Sequence, residues 1–170
     1  MNTATIAETN QYLTFRLDEE TFALEISKVR EVLDFINITR VPRTPNFMRG
    51  VINLRGNVVP VVDMRLNFGM SMTEKTVATC IIIVEVSIDG ETTILGTLAD
   101  SVQEVIEIDH KHIEPVPCIG TYLRTDFIKG IGKCDNGFIM LLDIDKIFSS
   151  EELTLVQSAK ENMSSEEAKI

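Results

Sequence analysis

The stretch Gly50–Asp63, GVINLRGNVVPVVD, decides the fold. Two apolar runs, Val51-Ile52 with Leu54 and then Val58–Val62, flank the polar corner Arg55-Gly56-Asn57. β-Branched runs joined by a glycine-containing corner predict a hairpin, with Gly56 taking the positive φ of a tight turn. Pro60 cannot donate to a ladder, so its strand is expected to be a sheet edge or to carry a bulge. Arg55 falls at the hairpin tip, with its guanidinium expected to project from a stiff base. A solvated turn arginine and a recognition residue are both open at this point.

The same stretch recurs. FMRGVINLRGNVVPVVD aligns with FIKGIGKCDNGFIMLLD, with Phe47, Gly50 and Asp63 matching Phe127, Gly130 and Asp143 at an offset of 80. Val29 and Glu31 match Val102 and Glu104 at 73, and Val41-Pro42 matches Val116-Pro117 at 75. Growing offsets place the insertions in loops. Two similar all-β units follow, each of about five short strands and each too small to bury much alone, so they are expected to share a core. The repeat also separates architecture from function. Gly50/Gly130 and Val29/Val102 are kept in both copies, whereas Arg55 is replaced by Asp135, so the turn itself does not need arginine.

Outward from the hairpin, Tyr12–Leu17 and Phe22–Ile26 alternate as half-buried strands, and one helical turn passes into a strand near Arg30. Ile81–Val86 and Thr92–Leu98 flank Asp89-Gly90, and Asn136-Gly137 marks a second hairpin. Asn67–Thr79 reads as a loop. Ser149 with Glu152 fits a capping box, followed by a helical stripe of Leu153, Val156 and Ala159, with the tail Asn162–Ile170 expected to fray. The expected organisation is a flexible segment 1–11, a double unit over 12–148 (first repeat about 12–68, second about 80–148), and a C-terminal helix and tail over 149–170.

Composition narrows the function. The 170 residues carry a net charge of −10. Residues 1–75 hold nine basic and nine acidic side chains, residues 76–170 seven and seventeen, and seven of the eight arginines lie in the first part. An acidic total disfavours a phosphate-binding surface, and arginines on a neutral half suit protein contact or simple solubilisation of a β-surface. There is no apolar run long enough to span a bilayer, and MNTATIAETNQ, with neither a basic region nor an apolar core, is not expected to act as a signal peptide. Cys80, Cys118 and Cys134 have no paired spacing and read as small core hydrophobes. His110 and His112 lack further ligands nearby, Gly130-Ile-Gly132 lacks a third glycine, and Asp143 and Asp145 read as helix caps. No catalytic constellation is present, and neither cofactor nor metal is expected.

The run GVINLRGNVVPVVDMR, the preceding ITRVPRTPNFMRG, VREVL, ADSVQEV and LLDIDKIF, in this order and spacing, resemble the CheW family of bacterial chemotaxis coupling proteins. The resemblance extends from about Tyr12 beyond Phe148. It implies two intertwined SH3-like five-stranded β-barrels with a short C-terminal helix. It implies a non-catalytic adaptor that joins the cytoplasmic tips of chemoreceptors to the regulatory domain of the histidine kinase CheA, cytoplasmic and placed at membrane-associated arrays. By motif position it implies that Arg55, Gly50 and Gly56 belong to the coupling and kinase side, with Ile119 and Tyr122 as second-barrel candidates. Val29, Glu31 and Leu33, with their repeat partners Val102 and Glu104, fall on the receptor side, in or beside a groove between the barrels. The alternation within VREVL equally allows both valines to be core. Relatives that fuse this unit to a receiver domain or a kinase need at least about 100 further residues, so a stand-alone adaptor is expected. The alternatives are a scaffold of a non-flagellar chemosensory pathway and, from another class, a small-barrel nucleic-acid-binding protein.

Overall fold

The computed structural model describes residues 9–88, 90–116, 127–134 and 137–168. Strands β1 (Thr9–Leu17), β2 (Glu20–Glu25), β3 (Val29–Asp34), β4 (Met48–Leu54) and β5 (Asn57–Val62) make the first half. Strands β6 (Cys80–Ile88), β7 (Glu91–Ala99), β8 (Ser101–Asp109), β9 (Ile113–Glu114), β10 (Ile128–Cys134) and β11 (Gly137–Leu142) make the second. Short helices α1 (Met64–Asn67) and α2 (Ile144–Ile147) follow β5 and β11, and α3 (Ser150–Ala168) ends the chain. Asp63 and Asp143 cap α1 and α2 by accepting from the amides of Arg65 and Asp145. The capping box is reciprocal: Ser149 N–H donates to Glu152 Oε1 at 2.9 Å, and Glu152 N–H donates to Ser149 Oγ at 3.1 Å.

Each half lends two strands to the other. One sheet runs β3-β6-β7-β5-β4 and the other β8-β1-β2-β11-β10-β9. The pairings repeat in register: Phe15 faces Phe22 in β1–β2 as Val84 faces Leu95 in β6–β7. Leu141 meets Ala23 in parallel as Val61 meets Gly96. Bulges lie between Met48 and Gly50 on β4 and between Ile128 and Gly130 on β10. The two expected barrels are therefore interleaved. The second has a sixth strand because β9 is long enough to count, where the first half makes only the bridge Thr39–Val51 at the matching place.

The apolar faces form three clusters. Ile52, Val59, Val61, Ile81, Ile83 and Leu98 fill the first barrel. Tyr12, Ala23, Ile108, Ile139 and Leu141 fill the second. A larger cluster lies between them, including Phe15, Phe22, Val62, Met64, Val84, Leu142 and Ile144, and is closed by Leu153, Val156 and Ala159 of α3. The Phe47–Phe148 stack at 5.2 Å and the Phe127–Phe68 stack at 4.6 Å are one contact made twice, each joining one half to the other. Such pairs add about 0.5–1.5 kcal/mol beyond their buried area.

The structure corrects several expectations. Pro60 lies on an internal strand, between β4 and β7, and the bulge of the β4–β5 pair falls on β4 rather than on its own strand. It is tolerated because Val51, opposite it, turns its own N–H and C=O to Thr39, and the β7 pairing starts only at Val61. β1 begins at Thr9, since Thr9–Gln11 pair with β8, and α3 continues to Ala168. Cys134 is exposed at the end of β10, outside the barrel interior, and Cys80 is half-buried with its thiol on Ala78 O. Cys118, Ile119 and Tyr122 lie outside the described residues.

Gly50 is buried at φ +143°, and a Cβ there would stand 2.1 Å from Thr39 O. Gly50→Val is expected to cost about 3 kcal/mol or more, through strain and a clash that rigid backbone cannot relieve. Gly130→Ala should cost less, because its nearest obstacle is the movable Ile113 side chain. Denaturant melts of the two variants check the order, and a smaller loss for Gly50→Val would contradict this account. The fully buried Thr97 hydroxyl has no partner among the described residues. Removing an orphaned hydroxyl gains about 1 kcal/mol, so Thr97→Val should raise Tm by about 2–4 °C, measurable by calorimetry.

Candidate functional site

The β4–β5 hairpin turns through Arg55 at φ 51° and Gly56 at φ 87°. A two-residue turn of this hand wants positive φ at both positions, which asparagine and glycine supply most cheaply. Asn53 Oδ1 steadies it by accepting from Gly56 N–H at 2.8 Å. Arginine in the left-handed region costs on the order of 1–2 kcal/mol. The turn therefore carries Arg55 against its own backbone preference.

The guanidinium does not project freely from the tip. It forks onto Glu31, with Nη1 donating to Oε2 at 2.9 Å and Nη2 to Oε1 at 2.7 Å. β3 lies at one end of the sheet order and β4 at the other, so this fork bridges the two ends of the curled sheet. The Arg55 fork holds the Glu31 carboxyl below its ordinary range, and Glu31 in turn raises Arg55. The pair stands in solvent, with Arg55 68% and Glu31 28% exposed, so water and salt screen it and it adds little to stability. Its value lies in position. It stands at the mouth of a hollow of about 570 Å³, floored by Leu54, Val58, Val59, Ile83 and Ile94. Arg30 and Lys160 complete the rim, and Arg30 Nε also donates to Glu85 at 2.6 Å. An apolar floor under a planar, charged rim suits recognition of a protein side chain or helix face rather than proton transfer. Among the described residues no three histidine, cysteine or carboxylate side chains converge as a metal site.

The remaining candidates divide. Gly56 belongs to this tip, and Glu31, expected on the receptor side, meets Arg55, expected on the kinase side. Gly50 lies within β4 against Thr39, a place explained by architecture. Val29 and Val102 are half-buried, facing Val84 and Phe15 in their ladders, and both pack on the central core. Leu33 packs on the interior of the first barrel. Glu104 is exposed on β8, where the Thr14 hydroxyl replaces a ladder partner by bonding both its C=O and its N–H. It has no ion pair among the described residues, unlike its repeat partner Glu31.

The arginine-rich first half is not one patch. Arg65 is nearly buried and tied to Asp100 at 2.6 Å and to Ser71, and Arg49 is tied to the buried Asp63, so both are internal braces. Nothing along the chain singles out Arg30 or Lys160 for this site, because only the curled sheet and the returning helix bring them to the tip. If Arg55 is what depresses Glu31, the Glu31 carboxyl should titrate below the other exposed glutamates and return to their range in Arg55→Ala. The stability this adds is present above the unfolded carboxylate pKa and is lost as pH falls through the lowered folded value. Side-chain carbonyl NMR titration measures the shift, and an unchanged Glu31 curve in the variant would refute the cause.

The comparisons with known proteins bear on this geometry as a whole. A family model described as CheW-like domain matches residues 11–152. A chemotaxis protein CheW of Klebsiella aerogenes is 33% identical over 151 residues, covering 87% of both chains. A chemotaxis protein CheW of Thermotoga maritima is 34% identical over 145 residues, covering 85% of this chain and 90% of its own. The crystal structure of the scaffolding protein TtCheW from Thermoanaerobacter tengcongensis superposes with a TM-score of 0.73 at 38% identity, over 84% of this chain and 90% of that one. The interleaved double barrel and its sequence together place the chain in the CheW-like domain family.

Proposed function

We propose that this protein is a non-catalytic adaptor of chemotaxis signalling that couples chemoreceptor cytoplasmic tips to the regulatory domain of the histidine kinase CheA, acting in the cytoplasm at receptor arrays. The observation that carries this reading is the forked Arg55–Glu31 pair at the mouth of an apolar-floored hollow. A strained turn that holds an arginine the repeat does not require has no structural motive. The acidic total leaves a nucleic-acid role without an electrostatic basis.

In this reading Arg55 and Glu31 are each other's placeholders. A partner carboxylate that takes the Arg55 fork frees Glu31, and a partner cation that takes Glu31 frees Arg55. The two sides of the adaptor thus meet in one exchangeable ion pair rather than in separate patches. Val29, Leu33, Val102 and Glu104 are proposed as the neighbouring receptor-side surface. Ile119 and Tyr122 remain proposed second-barrel contacts to the kinase.

Calorimetry against the isolated kinase regulatory domain should show micromolar binding, about −8 kcal/mol. Arg55→Ala should keep the melting curve of the parent protein and lose receptor-dependent kinase activation by at least tenfold in a reconstituted assay. Arg55→Lys should restore it in part, because a lysine keeps the charge but not the fork. Full activation by the alanine variant would exclude the role.

A further inference from the structure

The first barrel carries a second hollow, at the other end of β4. Leu54 lines the first hollow and Met48 and Arg49 the second, so at about 3.3 Å per residue the two are about 20 Å apart. The second encloses about 420 Å³ between Phe35, Arg40, Arg49, Met72 and Lys75, with no carboxylate in its wall. In a chain of net charge −10 this is a concentrated positive site. Arg49 is committed to Asp63, but Arg40 is exposed and, among the described residues, has no carboxylate partner. Lys75 rests on the Phe35 ring, 4.8 Å from its centroid.

The wall is built rather than incidental. The buried Asp63 accepts from Thr73 N–H and Thr73 Oγ1, both at 2.9 Å, and Arg49 donates to Thr73 O at 3.1 Å. Arg65 donates to Ser71 O at 2.8 Å. Loop 70–79 is thus fixed from beneath by three charged side chains, at a cost in chain entropy. What it shows outward is a half-exposed Met72 and a fully exposed Val77. The repeat gives an independent argument. Proline 115 stands where the first half has Arg40, and after α2 the second half enters α3 where the first makes this loop. The architecture therefore requires neither Arg40 nor the loop that carries Lys75, although Lys129 stands where the first half has Arg49.

We propose that this hollow docks an acidic, extended segment of a partner protein. Its carboxylates meet Arg40 and Lys75, and an apolar side chain rests on Met72. Because the site lies at the far end of the barrel from Arg55, one adaptor binds there without disturbing the Arg55–Glu31 pair, and the proposal stands even if the role given to Arg55 fails.

The test uses the full chain, isotope-labelled, with a synthetic peptide alternating glutamate and leucine as probe. Amide shifts should concentrate at 35–40 and 70–77, the affinity should fall at least tenfold in R40Q/K75Q, and R55A should bind as the parent does. A peptide with lysine in place of glutamate should not bind. If the neutral double variant melts early, M72A at unchanged stability should weaken binding severalfold instead. Shifts centred on 54–59, equal affinity for R40Q/K75Q, or binding of phosphatidylserine vesicles without binding of the peptide would each overturn the assignment.

Discussion

Two short parallel pairings, β2 with β11 and β5 with β7, tie each half of the chain into the other. Neither half can finish its own barrel, because its first two strands are laid into the sheet of its neighbour. The central cluster, the reciprocal phenylalanine stacks and the matching aspartate caps all lie where that exchange brings the halves together. A unit of five short strands buries too little surface to stand alone, and exchange joins two such units around one core. It also makes the whole cooperative, since no barrel can open without breaking strand pairings that belong to the other half of the sequence.

On this scaffold the charges do two kinds of work. Asp63 and Arg65 are buried and Arg49 is partly buried, and all three hold loops in place, where hydrogen bonding offsets the desolvation of each group. Arg55, Glu31, Arg40 and Lys75 stand in solvent, where an ion pair adds little to folding but remains available for exchange. Both outward sets lie on the first barrel, one at each end of β4, and Arg55, Arg40 and Lys75 have no counterpart in the second copy, although Glu31 has one in Glu104. The repeat thus acts as an internal control: what both copies keep serves the fold, and what one copy alone carries is free to serve a partner.

Much of this was legible along the chain because the determinants are local or periodic. Alternation marked the strands, Gly56 and Gly137 marked the hairpin turns, and Ser149 with Glu152 marked the start of the last helix. The matches Gly50/Gly130 and Phe47/Phe127 announced a duplicated unit. Pro60 misled because a proline's tolerance depends on which way the opposite residue turns its amide, and Val51 turns to Thr39 only once the chain has folded back. Cys134 misled because burial depends on which end of a strand leaves the barrel. The tip arginine was found, but its state was not, since Glu31 lies 24 positions away with no pattern linking the two.

The sequence by itself determined an all-β duplicated chain, its turns and caps, the family it resembles, and Arg55 as a residue the fold does not need. These follow from steric and hydrophobic preferences that act between neighbours or repeat at fixed spacing. Only the tertiary structure decided which strands are exchanged between the halves, that Arg55 is clasped by Glu31, and that Lys160 and Arg30 share its hollow. It also decided that Arg40, Met72 and Lys75 gather at the other end of the barrel. Those juxtapositions depend on how far each sheet curls and on which strand edges meet, and residues brought together in that way carry no shared signal along the chain.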